Sequence, residues 1–459
     1  MRILILGAGR VGSSVAENLV SEHNDITLVD LDAALLASLQ ERLDLRVVAG
    51  NCTHISVLEA AGAHDADMLI ACTASDEANL VACRVARLIF NVPQRIARIR
   101  SQEFYERPEI IGPEGFCIDN LISPERSVTT YLQRLIEFPQ ALQVVDFADG
   151  QVTLALVQVD KRSAMAHQLA GDIAELLPGV KAHILLLFRN DKPIEVSPRT
   201  VVEANDELLI LVDARHARRA LQELRAGARQ ARRVMIAGGG NIGSRLAHEL
   251  AAEGYAVKVL EHDLARCEKL STLLPHKVLV LHGDATDEAL LEDENIEGTD
   301  VFLALTNDDE NNIMSSLLAK RMGARRVMAL IGRRSYGELM EGSRIDVAVA
   351  PDQATIGELL RHVRRGDVVA VHKLRRGATE AIEAIAHGEP ASSKVVGRRV
   401  SQIKMPAGAA IGALVRGEQI LTPSDDPVLQ SGDHVIMLVT RRRVIPAVEA
   451  LFQVSASFF

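Results

Sequence analysis

The sequence predicts an α/β protein, a tandem duplication in which a Rossmann-like doubly wound parallel-sheet domain is followed each time by a small α+β domain. Three observations predict it. A G-x-G-x-x-G turn directly after an apolar strand occurs twice, at Gly7 and Gly238. The two halves match in a collinear series of positions. Within each half, strands alternating with helices give way to hairpin-like strands.

The repeat is read first, because a missed repeat miscalls the whole fold. Residues 7–19, G-A-G-R-V-G-S-S-V-A-E-N-L, fall on residues 238–250, G-G-G-N-I-G-S-R-L-A-H-E-L, an offset of 231 (238 less 7) that also carries Asp30 onto Glu261. At 233, Gly50-Asn51-Cys52-Thr53 meets Gly283-Asp284-Ala285-Thr286, Asp67 meets Asp300, and Thr73, Asp76 and Asn79 meet Thr306, Asp309 and Asn312. At 227, Asp119 meets Asp346, Ser123-Pro124-Glu125 meets Ala350-Pro351-Asp352, and Asp206 meets Asp433. Small loop insertions and deletions explain the drift; chance similarity would not stay collinear.

In chain order, Ile3–Leu6 reads as a strand and is followed by a helix after Val11. Ile26–Val29 and Arg46–Ala49 are strands around a helix over Leu36–Glu41. Met68–Cys72 and Ile96–Ile99 are strands around a helix over Glu77–Leu88. That alternation requires a parallel sheet covered on both faces. A helix over Glu125–Glu137 follows Pro124, and then Gln151–Val159, His183–Phe188 and Glu207–Val212 read as hairpin strands. The expected division is a first nucleotide-binding domain over 1–123, a crossover helix over 124–139, a small domain over 140–225 and a linker over 226–231. The second copy repeats it as 232–350, 351–366 and 367–454.

Composition bounds the function classes. The 459 residues, 48% apolar and 24% charged, suit an ordered chain of two to four domains. With 51 basic against 61 acidic residues the net charge is −10, and there is no basic footprint for nucleic acid. Aromatics at 3% leave few platforms for stacking on bases or sugars. The longest uncharged stretch runs only from Val47 to Leu58, well short of the roughly 18 residues that a membrane helix needs, and the start carries no signal-peptide pattern. The chain is therefore expected in the cytosol. Cys52, Cys72, Cys83, Cys117 and Cys267 form no C-x-x-C and read as small core thiols, with no metal site.

The candidate site follows from the glycine turns. In Gly7-Ala8-Gly9-Arg10-Val11-Gly12 the first glycine makes the turn, the second lets a pyrophosphate approach the backbone and the third lets helix and strand pack closely. The helix N-terminus then faces the anion. Asp30, at the end of the next strand, is placed to accept from both ribose hydroxyls, which favours NAD+ or NADH over a 2′-phosphorylated dinucleotide. Thr73 and Ala74, at the carboxyl end of their strand, border the ligand. Arg98 reads equally as a phosphate partner and as a solvated strand-end arginine. The second turn, Gly238-Gly239-Gly240-Asn241-Ile242-Gly243 with Glu261, predicts either a second adenosine site or a purely structural repeat. Asn241 replaces Arg10 there, and Ala329 is aligned with Arg98, so the second site is expected to hold an anion less well.

Catalysis finds no support. A dehydrogenase needs a proton donor or acceptor near the hydride, yet His167, His183 and Lys192 in one small domain do not align with His362, His372 and Lys373 near the other. The basic runs Arg361–Arg365 and Arg441–Arg443 read as solvated faces or as contacts to acidic partners. An NAD-dependent oxidoreductase of unidentified substrate stands as the alternative to a binding module.

Several runs are those of a known family. G-A-G-R-V-G-S-S-V-A-E-N-L, D-I-T-L-V-D, D-L-R-V-V-A-G, R-I-A-R-I-R-S, L-A-L-T-N-D-D-E-N-N-I-M-S-S-L-L-A-K-R-M-G-A and S-G-D-H-V-I-M-L-V resemble the peripheral subunits of bacterial Trk potassium uptake systems. The likeness runs essentially end to end. It implies that each half is a regulator-of-potassium-conductance (RCK) unit. It further implies a ring-shaped homotetramer on the cytoplasmic face of the inner membrane, docked beneath a TrkH- or TrkG-type membrane protein that carries K+. NAD(H) would occupy the Rossmann sites, with ATP or ADP competing as gating nucleotide and no chemical turnover. Carried over residue by residue, Gly7 to Val11, Asp30, Thr73, Ala74 and Arg98 match the first site, and Gly238 to Ile242 with Glu261 match the second.

Overall fold

Uninterrupted aliphatic runs form the central strands of two parallel sheets, because only strands buried on both faces dispense with polar alternation. The structure, a computed structural model, describes all residues except 21–23, 106, 225–229, 341–342, 364–366, 375–378 and 454–459. Most of the expected linker at 226–231, Arg364 and Arg365 of one basic run, and the end of the second crossover helix expected at 351–366 therefore lie outside the described residues.

The chain divides into two compact units, Met1–Val128 with Pro351–Leu359, and Thr129–Ala350 with Leu360–Phe459. In the first unit, β1 (Arg2–Leu6), β2 (Asp25–Asp30), β3 (Arg46–Ala49), β4 (Met68–Ala71), β5 (Gln94–Arg98) and β6 (Asn120–Ile122) form a parallel sheet in the order β3-β2-β1-β4-β5-β6. The connecting helices are α1 (Arg10–Val20), α2 (Ala33–Arg42), α3 (Ile55–Ala60), α4 (Asp76–Leu88), α5 (Gln102–Tyr105) and α6 (Pro108–Ile111), followed by α7 (Pro124–Glu137). Every residue of β4 is buried. The short α3 and the edge strand β6 were not anticipated from the sequence. The strand order reverses between β1 and β4, and that switch point is where an open sheet leaves a crevice for a ligand.

The second unit begins with β7 (Ala141–Phe147), β8 (Val152–Gln158), α8 (Ile173–Leu176), β9 (Ala182–Arg189), β10 (Lys192–Glu195), β11 (Glu207–Asp213) and α9 (Ala217–Leu224). A second parallel sheet follows, with β12 (Arg233–Ala237), α10 (Asn241–Ala252), β13 (Ala256–Glu261), α11 (Leu264–Leu273), β14 (Leu279–His282) and α12 (Glu288–Asp293). It continues through β15 (Val301–Ala304), α13 (Asp309–Arg321), β16 (Arg326–Leu330), α14 (Arg334–Leu339) and β17 (Val347–Val349). Its order, β14-β13-β12-β15-β16-β17, repeats that of the first sheet. After α15 (Pro351–Val363) come β18 (Val368–Leu374), β19 (Thr379–Ile385), β20 (Ala409–Arg416), β21 (Gln419–Leu421), β22 (His434–Val439) and α16 (Ile445–Phe452). The two small sheets are antiparallel, in the orders β10-β9-β11-β8-β7 and β18-β19-β22-β20-β21, the same order once one is read backwards. A single apolar core joins them, with Phe147, Leu154 and Leu209 from one and Ala381, Leu438 and Ile436 from the other.

The duplication reaches single bonds. Both small sheets bulge at the same place, between Ala141 and Gln143 and between Val368 and Ala370. Arg189 holds Asp206 through two bonds of 2.9 and 2.7 Å and donates to the Val201 carbonyl at 2.8 Å. Arg416 holds Asp433 at 2.8 and 2.8 Å and donates to the Val428 carbonyl at 2.7 Å. In the second unit the buried Arg326, at the start of β16, donates to the Leu135 and Ala141 carbonyls at 2.7 and 2.5 Å. The first is an acceptor left over at the carboxyl end of α7, and the second lies at the start of β7.

Candidate functional site

Each glycine turn is set by sterics that only glycine tolerates. Gly7 and Gly238 have φ of +100° and +102°, a backbone state that side chains make costly. A Cβ on Gly12 would lie 1.8 Å from the Gly7 carbonyl oxygen, and one on Gly243 would lie 2.0 Å from the Gly238 oxygen. Each third glycine therefore lets helix meet strand. The middle glycines differ from both: among the described residues a Cβ on Gly9 would meet nothing within 4 Å, and one on Gly240 would meet only Arg266 Nη1, at 3.8 Å. Here the missing side chain leaves space over the backbone rather than relieving a clash, which is the room that a pyrophosphate needs. The residues present fit a bound dinucleotide at the amino ends of α1 and α10. Arg10 and Asn241, first in those helices, are exposed, with Val11 and Ile242 half-buried beside them.

The acidic residues close on the turns from the neighbouring strand. Asp30 Oδ2 accepts from the Ala8 amide at 2.5 Å, and its Oδ1 accepts from the Asp32 amide at 2.9 Å. Glu261 Oε2 accepts from the Gly239 amide at 2.8 Å. Its Oε1 is more heavily engaged, taking the His262 and Asp263 amides at 2.9 and 3.1 Å and standing 2.9 Å from His262 Nδ1. Glu261 is 4% exposed. Leu31 stands at the position of His262 and has no ring nitrogen to offer Asp30.

A second loop is pinned in both halves by residues that the repeat displayed but whose task the sequence did not reveal. Thr73 donates to Asn79 Oδ1 from its amide and hydroxyl, at 2.9 and 2.7 Å, while Asn79 Nδ2 donates to the Arg98 carbonyl at 2.8 Å. Thr306 and Asn312 make the same bonds at 2.9 and 2.7 Å, with Asn312 Nδ2 donating to the Leu330 carbonyl at 2.9 Å. Asp76 accepts from the Arg100 and Ser101 amides, and Asp309 from those of Gly332 and Arg333. These side chains, of which the asparagines and aspartates are buried, fix the loops after β4 and β5. They bring the Thr73 backbone to 2.9 Å from where a Cβ on Gly7 would stand, with Ala74 exposed one residue on.

That network corrects one alignment. The partner of Arg98 is Leu330, not Ala329: both carbonyls receive the same asparagine, and Arg95 and Val327, three residues earlier, both donate to an aspartate, Asp119 and Asp346. Counting at a fixed offset missed a one-residue shift before β16. Leu330 carries no charge either, so this position of the second half still lacks the cation. Arg98 itself is engaged: its Nη2 lies 2.7 Å from Glu125 Oε1 at the start of α7, both side chains mostly buried.

The remaining candidates lie elsewhere. His183 is on β9, His372 on β18 against Phe147, and His362 beside Arg361. Lys192 is on β10 and Lys373 on β18. His167 holds a left-handed backbone with φ of 67°. Arg442 lies near Glu380, at 3.8 Å. All five cysteines are free and buried. Burial pushes the Cys72 thiol up to about 12 and raises those of Cys52, Cys83 and Cys267, so none of these four is poised as a thiolate. Among the described residues no helix is long and apolar enough to cross a membrane, and no group of side chains is arranged to hold a metal ion.

Two open glycine turns at sheet switch points, each faced by an acid and each followed by a small antiparallel sheet, define a tandem pair of Rossmann-type units with the form of a nucleotide-binding fold. Comparison with known proteins agrees with that class and narrows it. The TrkA-N domain family matches residues 3–124 and 234–351, and the TrkA-C domain family matches residues 389–453. The Trk system potassium uptake protein TrkA of Halomonas elongata is 51% identical over 459 residues, covering all of both chains. The chain belongs to the TrkA family, the regulatory subunits of Trk potassium uptake systems. Among solved structures, the GsuK channel bound to NAD shares the fold at a TM-score of 0.62 and 18% identity, covering 98% of this chain and 79% of that one. GsuK bound to ADP aligns at 0.50 and 16%, covering 79% and 69%.

Proposed function

We propose that the chain senses nucleotides for a potassium uptake system whose ion path lies in a separate, TrkH- or TrkG-type membrane protein. It docks on the cytoplasmic face as a homotetrameric ring and biases the gate without turnover. The observation that carries this reading is the open Gly9 turn facing Asp30, repeated at Gly240 and Glu261. The GsuK structures with NAD and with ADP support the choice of ligands. The first site uses the turn from Gly7 to Gly12 for the pyrophosphate, Asp30 for the ribose hydroxyls and Thr73 and Ala74 as a wall. The second uses Gly238 to Gly243 and Glu261. Arg98 acts by tying the end of β5 to α7, the expected crossover helix, rather than by meeting a phosphate directly.

Gating follows from differential affinity. NAD(H) and ADP or ATP share the adenosine half and differ in where their phosphates end. A nucleotide that prefers one ring shape shifts the population towards it, and the membrane partner reads the shift. The domain division set out above, 1–123 through 367–454, is the reading of the parts that move. An Asp30→Arg variant puts a cation where the ribose hydroxyls need an acceptor. Calorimetry with NADH is expected to show loss of the first site, and unchanged binding would sink the assignment.

A further inference from the structure

Positive charge around the two turns has been exchanged between positions rather than lost. In the first half Arg10 opens α1 and Arg98 ends β5, while the first and fifth positions beyond the acid are Leu31 and Leu35, 75% and 36% exposed. In the second half Asn241 and Leu330 take the places of the arginines, and His262 and Arg266 take those of the leucines. The His262 ring is spent on Glu261 at 2.9 Å. Arg266 is not spent in that way. Asp263, the cap of α11, accepts the Arg266 amide at 2.8 Å and so fixes its backbone in the first turn. The side chain is exposed. Its Nη1 lies 3.8 Å from the point a Cβ on Gly240 would occupy, over the middle glycine, where the corresponding space above Gly9 holds nothing within 4 Å. A guanidinium there faces the same ligand atoms as the amides of the helix end, and its planar fork suits phosphate oxygens.

We propose that Arg266 is a phosphate-binding residue of the second nucleotide site, reaching the turn from α11 where Arg10 serves the first site from α1. The second site is then a working site with its cation relocated, suited to an adenine nucleotide whose phosphates turn towards α11. This rests on the reading that the turns hold nucleotides.

The test uses the full chain carrying Asp30→Arg, which leaves the second site as the reporter, and ADP as the probe in calorimetry. Adding Arg266→Leu, the first-half residue, is expected to weaken ADP binding about 10- to 100-fold, the usual worth of a charge-assisted contact to phosphate. Arg266→Lys should lose less, because a point charge remains. Arg266 is exposed, so the thermal midpoint should not move, and Arg266→Leu alone should leave the first site as it was. Undiminished ADP binding in the double variant overturns the proposal. So does an Asp30→Arg protein that binds no ADP while the parent binds at the first turn. A parent that binds neither NADH nor ADP overturns the nucleotide reading itself.

Discussion

The two nucleotide turns have nearly the same backbone and quite different surroundings. Gly7 and Gly238 sit at matching φ, Gly12 and Gly243 both leave no room for a Cβ against the carbonyl behind them, and the bonds that Asn79 and Asn312 accept from Thr73 and Thr306 have the same lengths. The differences lie in side chains around the turns: Arg10 against Asn241, Leu31 against His262, Leu35 against Arg266, and a half-buried Asp30 against a buried Glu261. Duplication has kept what folding needs and varied what recognition needs.

The largest expected effect separates folding glycines from binding glycines. Gly12→Ala and Gly243→Ala force a Cβ into a backbone oxygen, and each is expected to destabilise its domain by about 3 kcal/mol or more, seen as a lowered thermal midpoint. Gly9→Ala places its methyl in open space and should leave stability within about 0.5 kcal/mol. It should nevertheless abolish NADH binding at the first turn, because the methyl fills the room left for the pyrophosphate. Equal destabilisation by Gly9→Ala and Gly12→Ala would remove the distinction on which the site rests.

A smaller effect compares the small sheets. His372 on β18 stands where β7 has Val145, and burial lowers its pKa from the usual 6.5 to about 4, against the raising influence of Asp146. The folded state therefore favours the neutral ring. Between about pH 6.5 and 4 the unfolded chain binds a proton that the folded one does not, so stability falls as pH drops through that window and levels off below it. Allowing for the ring's partial exposure, the loss is about 2 kcal/mol by pH 4. His372→Val should flatten the acid limb of urea-derived stability between those pH values. An unchanged slope would place the acid sensitivity elsewhere.

Most of the fold was legible because its signals are periodic and came twice. The strand runs at Ile3, Ile26 and Met68 needed only alternation and length, and the repeat supplied the register of the second half. The short α3 and β6 were not legible, since a few residues held by tertiary contacts leave no period. At the sites, the glycines and acids could be read from spacing. Asn79 and Asn312 appeared only as matched letters, because their work is to bond a loop 18 or 19 residues away. Arg266 leaves no signal in the repeat, because the first half has Leu35 at that position. Ala329 was misaligned with Arg98 because a fixed offset cannot register a one-residue shift.

The central claim is that nucleotide occupancy of these turns controls potassium flux through another polypeptide. Reconstituting the cognate membrane protein in liposomes and measuring K+ flux with and without this chain, under NAD+, NADH, ADP and ATP in turn, tests it most directly. The account predicts flux that depends on the chain and changes with the nucleotide, and that stops distinguishing NADH from no nucleotide when Asp30→Arg and Glu261→Arg are combined. Flux that is the same under all four nucleotides, or in the absence of the chain, would contradict it.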